Sequence, residues 1–262
     1  MNVIGVIPAR YNSSRFQGKP LADIHGKPMV WWVYQQANKV KEFNKVVIAT
    51  DDERIKEACE ALSMEYVMTG DNHKTMSSRI HEVSEKIVAD VYVVVNGDEP
   101  LIDPAAIKAV IPDDLEGFYA SNIMSAIKDP TEAIDITNIK VIVAKDGHAL
   151  YMTRSPAPYP KSTLDFKYYK HLGVVAYSKQ ALDFYASTEI GYNESIEDID
   201  YLRFIENRKP FKMIEVNTVS ISVDTTKDLA YVRDKMEELL KMWSFLLNQG
   251  QRNNNSIYQP IV

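Results

Sequence analysis

The chain has 262 residues, 45 % of them hydrophobic and 25 % charged, with a formal net charge of −6. That balance suits a folded globule and excludes a wholly disordered chain. The acidic excess argues against a nucleic-acid partner, and no apolar run approaches the ~20 residues of a membrane span.

Residues 3–7 form a short apolar run ending at Pro8, which predicts a buried strand. No basic leader precedes it, so no signal peptide is expected and the chain reads as cytoplasmic. The pattern then predicts a helix over 28–40 and a strand over 45–50. A helix follows over 51–62, capped by Asp51 or Asp52, and then a short strand over 66–68. Cys59, the single cysteine, rules out an intramolecular disulfide and reads as a small buried hydrophobe. Ser77 or Ser78 is expected to cap a helix running to about 88, and 91–95 is expected to be the central strand. Strand and helix alternate, which implies an α/β fold: a mostly parallel sheet with helices on both faces.

The middle of the chain predicts strands over 118–126, 140–144, 149–153 and 171–177, with Pro156, Pro158 and Pro160 marking an extended loop. Helices are expected over 180–186 and 195–206, a strand over 211–216 and a long helix over 226–247. The organisation expected is one domain over 1–247. The polar, Asn-rich tail over 248–262 is expected to be loosely held.

In such sheets ligands bind beyond the carboxyl ends of the strands. Three loops fall there: 8–19, 50–52 and 96–100. The first carries Arg10, Ser13, Ser14, Arg15, Gly18 and Lys19. Three cations, two hydroxyls and backbone amides around one small volume suit a polyphosphate, although the spacing is not that of a Walker A loop. The third, Asn96-Gly97-Asp98-Glu99-Pro100, delivers an acidic pair after the most apolar strand. Asp98 is the best single candidate ligand for Mg²⁺, which takes carboxylate and phosphate oxygens. Asp224, in Ser222-Val223-Asp224-Thr225, is either a helix cap or a second magnesium ligand, depending on whether folding brings it to Asp98. The histidines have no zinc-type spacing.

Taken in order, the loop from Pro8 to Leu21, Asn96-Gly97-Asp98-Glu99-Pro100, Tyr151-Met152-Thr153-Arg154-Ser155-Pro156, Lys170-His171-Leu172-Gly173 and Ser222-Val223-Asp224-Thr225 resemble the 3-deoxy-manno-octulosonate cytidylyltransferases (CMP-KDO synthetases). The resemblance spans roughly residues 2–240. It implies a Rossmann-like α/β nucleotidyltransferase fold, a smaller dimerisation lobe formed by the middle segments over about 128–178, and a homodimer. It implies CTP as donor, Mg²⁺ as cofactor and an acidic sugar as acceptor, in surface-polysaccharide (lipopolysaccharide or capsule) synthesis. Arg10, Lys19 and Asp98 would be catalytic. Arg10, Ser13, Ser14, Arg15, Lys19, Arg79 and Asn96 would hold the nucleotide, and Asp98 and Asp224 the metal. Arg154, His171, Val175, Asp200, Tyr201 and Arg203 would face the acceptor.

Four departures accompany the resemblance. Thr75-Met76-Ser77-Ser78-Arg79 stands where the family has Ser/Thr-Gly-Thr-acid-Arg. Asn96 replaces glutamine, Val175 a tyrosine, and Tyr201 the glutamine of Leu-Glu-Gln-Leu-Arg. The last two remove hydrogen-bonding groups from the sugar wall, so the expected acceptor is a relative of KDO with a different hydroxyl display, an amino sugar acid or a phosphonate. A non-catalytic nucleotide-binding protein is the contrasting class. The presence of Arg10, Arg15, Lys19, Asp98 and Asp224 together argues against it. A glycosyltransferase would bring an Asp-x-Asp motif, which neither Asp51-Asp52 nor Asp98-Glu99 matches.

Overall fold

A computed structural model describes residues 1–12, 16–163, 165–218 and 221–248. Apolar runs that the sequence bounds with turn residues become strands: Val3–Ala9 (β1) opens the chain, buried along nearly its whole length. A 3-10 turn, Lys19–Leu21, and two short antiparallel strands, Asp23–Ile24 (β2) and Lys27–Pro28 (β3), lead into Met29–Ala37 (α1). Then Lys45–Thr50 (β4), Glu53–Ala61 (α2), Tyr66–Met68 (β5), Met76–Lys86 (α3) and Val91–Val95 (β6) alternate as expected. The middle supplies Pro104–Ala109 (α4), Ala120–Ala126 (β7), Pro130–Ile134 (α5), Lys140–Val143 (β8), Ala149–Thr153 (β9) and Tyr169–Ser178 (β10). Lys179–Ser187 (α6), Tyr192–Glu197 (α7), Leu202–Glu206 (α8), Lys212–Glu215 (β11) and Thr226–Asn248 (α9) follow.

The main sheet has the order β11-β7-β10-β6-β1-β4-β5. β1 runs parallel to β4 and β6, β4 to β5, and β11 to β7; β10 alone on this path runs against its neighbours. The carboxyl ends of β1, β4 and β6 therefore open on one edge, as the parallel pattern requires. The segment expected as a lobe is continuous with this sheet. β8 pairs with the start of β10, and β9 pairs with β8.

One apolar cluster, including Val94, Tyr177 and Phe204, covers one face of the sheet; a second, including Val33, Ile48 and Val93, covers the other. Alternate residues of β6 enter opposite clusters, as the two-residue period of a strand demands. A third cluster packs α9, through Leu229, Val232 and Met236, against Met29 and Trp32 of α1. Trp32 is buried and donates its indole N–H to the Ile24 carbonyl at 2.9 Å.

Three local expectations are corrected. Thr75, not Ser77 or Ser78, caps α3, its hydroxyl accepting from the Ser78 amide; Ser77 and Ser78 fall inside the first turn. The helix expected over 195–206 is two helices, parted at Asp198, whose φ of 52° lies in the left-handed region that aspartate tolerates and helices do not continue through. The short helices α4 and α5 were not foreseen. Each begins at an Asp-Pro pair, with Asp103 accepting from the Ala105 amide and Asp129 from the Thr131 amide, the proline occupying the first helical turn.

Candidate active site

The carboxyl edge of the sheet carries a cleft of about 420 Å³ lined by Pro8, Arg10, Asn12, Lys19, Pro20, Lys74, Met76, Arg79, Asn96, Gly97 and Asp98. Two of the three loops expected at strand ends meet here, one after β1 and one after β6. They approach closely because Gly97 has no side chain: a Cβ there would stand 2.8 Å from the Pro8 carbonyl oxygen. The third loop, after β4, contributes from behind through Asp51.

At the cleft floor the Lys19 ammonium sits 2.7 Å from Asp98 Oδ2 and 3.4 Å from Asp224 Oδ1. Positions 98 and 224 are thus brought to one cation, the condition spacing alone left open. The Val223 amide donates to the Asp98 carbonyl at 2.9 Å, which fixes the two segments to each other. Asp224 also begins the run into α9. There the capping side chain is Asp228, which accepts from the amides of Asp224 and Thr225. The Asp224 carboxylate reaches the Lys19 ammonium.

Magnesium is tested against these groups by one orphaned atom. Asp98 Oδ1 is buried with no hydrogen-bond partner among the described residues, and a buried carboxylate oxygen of this kind calls for a ligand. Two hard carboxylates within reach of one ammonium, beside a cationic cleft, fit a Mg²⁺ that completes its shell with phosphate oxygens. Among the described residues no group of three or more acidic, His or Cys side chains forms an all-protein metal cage.

On the opposite wall Arg10 donates to the His73 carbonyl. Its pKa is lowered, first by burial and then by the charge of Arg79, with Asp51 opposing both. Two guanidinium groups held that close favour an anion between or beside them. Arg79 is 1 % exposed, and donates to Asp51 Oδ2 at 2.6 Å and to Thr69 Oγ1 at 2.5 Å. Its Nε is buried without a partner among the described residues. Asn96 lines the cleft, and Ser13, Ser14 and Arg15 lie outside the described residues.

The six residues expected to face the acceptor are absent from the cleft lining. The three donating nitrogens of Arg154 go to the carbonyls of Ile136, Glu197 and Asp198. Arg203 is buried against Glu194, and Val175 is packed in the core. Asp200 is turned toward α3: it accepts from the Ser77 hydroxyl at 2.8 Å and from the Ser77 amide at 3.3 Å. Burial raises its pKa above the usual carboxylate range. Tyr201 is buried, stacked on Phe211 and edge-on to His171. His171 keeps partial exposure as a residue, yet its Nδ1 is sealed without a partner among the described residues. Burial pushes its pKa down to about 4.

Sequence reasoning missed several residues. Lys74 lines the cleft from the turn before α3; a lysine just ahead of a helix that enters the site is the signal that could have found it. Asp51, read as a possible cap and as part of the loop after β4, fixes Arg79. Glu99, 5 % exposed, accepts from the Gly173 amide at 3.1 Å. Nothing in its local sequence pointed across to β10.

The sequence profile of the cytidylyltransferase family matches residues 4–214. A 3-deoxy-manno-octulosonate cytidylyltransferase of Lawsonia intracellularis is 36 % identical over 241 residues, covering 90 % of this chain and 95 % of its own. An 8-amino-3,8-dideoxy-manno-octulosonate cytidylyltransferase of Shewanella sp. (strain ANA-3) is 38 % identical over 238 residues, with coverage of 87 % and 96 %. Among solved structures, a CMP:2-keto-3-deoxy-manno-octonic acid synthetase complexed with CTP superposes with a TM-score of 0.86 at 36 % identity, covering 91 % of this chain and 99 % of that one.

Proposed function

The chain belongs to the cytidylyltransferase family, and on that premise we propose that it transfers CMP from CTP to a 3-deoxy-2-keto sugar acid of the manno-octulosonate type, releasing pyrophosphate. The observation that carries this reading is the convergence of Lys19, Asp98 and Asp224 at the floor of a cleft whose far wall holds Arg10 and Arg79. A triphosphate needs cations on one side and a charge-balanced floor on the other, and the cleft offers both.

In this reading Lys19 and Arg10 bind the triphosphate, with Ser13, Ser14 and Arg15 completing the loop after β1. Asn96 and Met76 stand where the base and ribose enter. Asp98 and Asp224 would hold Mg²⁺, which when bound screens the triphosphate charge and orients it. The acceptor's anomeric hydroxyl attacks the α-phosphorus, its proton is lost, and the bond to pyrophosphate breaks. Acceleration comes mostly from holding the two reactants in line and from cations placed where charge develops. The enzyme works as a homodimer in the cytoplasm, where CTP is supplied, and its product serves surface-polysaccharide synthesis. No helix among the described residues is long and apolar enough to cross a membrane.

Val175 and Tyr201 favour a second reading of the acceptor. Where the family carries a tyrosine and a glutamine, this chain has an aliphatic side chain and a buried ring. The loss of those two hydrogen-bonding groups supports an acid with a different hydroxyl display, such as the 8-amino analogue named for the Shewanella relative. Pyrophosphate release with CTP and Mg²⁺ would be compared for KDO, its 8-amino analogue, sialic acid and simple phosphonates. Release with a manno-octulosonate, lost in Asp98→Asn, supports the proposal. The faster of the two octulosonates decides between the readings. Silence with every acid by a protein that still binds CTP would sink it.

A further inference from the structure

Asn122 is an amide in the middle of β7, at 0 % exposure. Along the strand Ala120, Ile123 and Met124 pack in the core and the adjacent Ser121 donates its hydroxyl to the Val110 carbonyl, so a buried amide at 122 needs a reason. Its Nδ2 donates to two backbone carbonyls of β10, those of Leu172 at 2.8 Å and Val174 at 2.7 Å. Its Oδ1 is left buried without a partner among the described residues. Packing alone would favour an apolar residue at this point.

The two carbonyls flank an irregularity. His171 pairs with Met124 and Val175 with Asn122, so β10 advances four residues (171 to 175) while β7 advances two (124 to 122). The excess residues bulge out of the ladder, and their backbone groups must find other partners. Asn122 takes two of the carbonyls. Both backbone groups of Gly173 go to the loop after β6: the Asn96 amide donates to the Gly173 carbonyl at 2.8 Å, and the Gly173 amide donates to Glu99 Oε1 at 3.1 Å. A methyl on Gly173 would overlap Glu99 Oε1 and come 2.5 Å from Asn96 Nδ2. The bulge is thus clamped on one side by Asn122 and on the other by the two residues that flank Gly97 and Asp98.

We propose that Asn122 is a positioning residue: by holding the 172–174 bulge of β10 it fixes the 96–99 loop, and so sets where the Asp98 carboxylate stands beside Lys19 and Asp224. The placement of Asp98 then depends on a side chain two strands away that touches neither nucleotide nor metal. The kinetic part of this inference rests on the proposed transfer; the structural part does not.

Four proteins would be compared: the full chain, Asn122→Leu, the milder Asn122→Thr, which keeps one donor, and Ile123→Val, which loses only core volume. Amide hydrogen exchange of Asn96 and Gly173 is read in metal-free protein, and Mg²⁺ binding by calorimetry with CTP present. Asn122→Leu is expected to speed exchange at both amides and to weaken Mg²⁺ binding by about tenfold or more, the scale of lost outer-shell support. Asn122→Thr falls between it and the full chain. The KM for CTP stays within about twofold while kcat falls. Ile123→Val lowers thermal stability and moves neither readout. The proposal is overturned if Asn122→Leu keeps both amides protected, or if Ile123→Val moves them equally. If the full chain releases no pyrophosphate with any acceptor, the proposed transfer fails, while exchange and Mg²⁺ binding still decide the role of Asn122.

Discussion

Arg203 offers the sharpest separation between a binding role and a structural one. It is 7 % exposed and Glu194 5 %, and they meet through two parallel contacts, Nη2 to Oε1 at 2.6 Å and Nε to Oε2 at 2.8 Å. The guanidinium also lies over the Tyr185 ring at 3.9 Å and donates Nη1 to the carbonyls of Tyr185 and Thr188. Arg203→Met would strand a buried carboxylate and two carbonyls. Removing one partner of a buried pair costs about 3–5 kcal/mol, because the remaining charge keeps its desolvation penalty and loses its compensation. A domain with roughly 10 kcal/mol to spare still folds. The double variant Arg203→Met with Glu194→Leu removes the stranded charge and should recover at least about 2 kcal/mol of that loss. Urea denaturation of the ligand-free proteins, followed by far-ultraviolet circular dichroism, measures all three differences. Pyrophosphate release at a temperature where each is folded then gives the acceptor KM, expected to stay within about twofold of the unmodified chain. A loss under about 1 kcal/mol for Arg203→Met, or a large rise in acceptor KM in a protein of unchanged stability, would refute the structural assignment and return Arg203 to the acceptor wall.

Lys19→Met should leave the fold intact and lower kcat by about 10²–10³, the usual scale for one lost electrostatic stabiliser; steady-state kinetics with circular dichroism as the folding control checks it. Gly173→Ala should lower stability by about 1–3 kcal/mol through overpacking against Glu99 and Asn96, with turnover falling as well, read by thermal melts beside the activity assay. His171 should stay neutral down to about pH 4. Its folded pKa lies below the 6.5 of an unfolded histidine, so the unfolded chain alone takes up the proton as pH falls from 6.5 toward 4. Over that window this site removes up to about 3 kcal/mol of stability, and the loss should vanish in His171→Phe. Histidine ring titration by nuclear magnetic resonance and urea midpoints against pH test it; a His171 titrating near 6.5 would contradict the burial seen here.

The α/β architecture was legible because its signals are local. A strand buried on both faces, such as 91–95, has to be nearly continuous in apolar residues. The loops that follow β1, β4 and β6 then have no choice but the same edge. The helix capped by Asp52 declared itself through residues within one turn of the cap. The break at Asp198 did not, because a left-handed aspartate is selected by what Arg154 and Arg203 do to the chain on either side of it. Neither partnership is visible in the local pattern. The same holds for Ser77, a plausible cap by composition, whose hydroxyl is committed to Asp200, 123 positions away.

For the site, the residue types were legible and their partnerships were not. A loop with Arg10 and Lys19 at a strand end, and an acid after the most apolar strand, already describe a place for a polyphosphate and a divalent cation. What made Asp224 more than a helix cap was its approach to Lys19, and that approach depends on α9 packing against α1 through Val232, Met236 and Trp32. The acceptor side shows the converse. Val175 and Tyr201 occupy positions that read as a sugar wall, yet both are buried, and Asp200 is bound to Ser77, a residue supplied by one of the segments that departs from the family pattern. The Ser77 hydroxyl, at a position where the family also carries a hydroxyl residue, therefore joins the nucleotide-side segment to the acceptor-side segment. The two halves of the site are coupled through α3, so acceptor preference in this chain should respond to changes at Ser77 as well as at residues that touch the sugar.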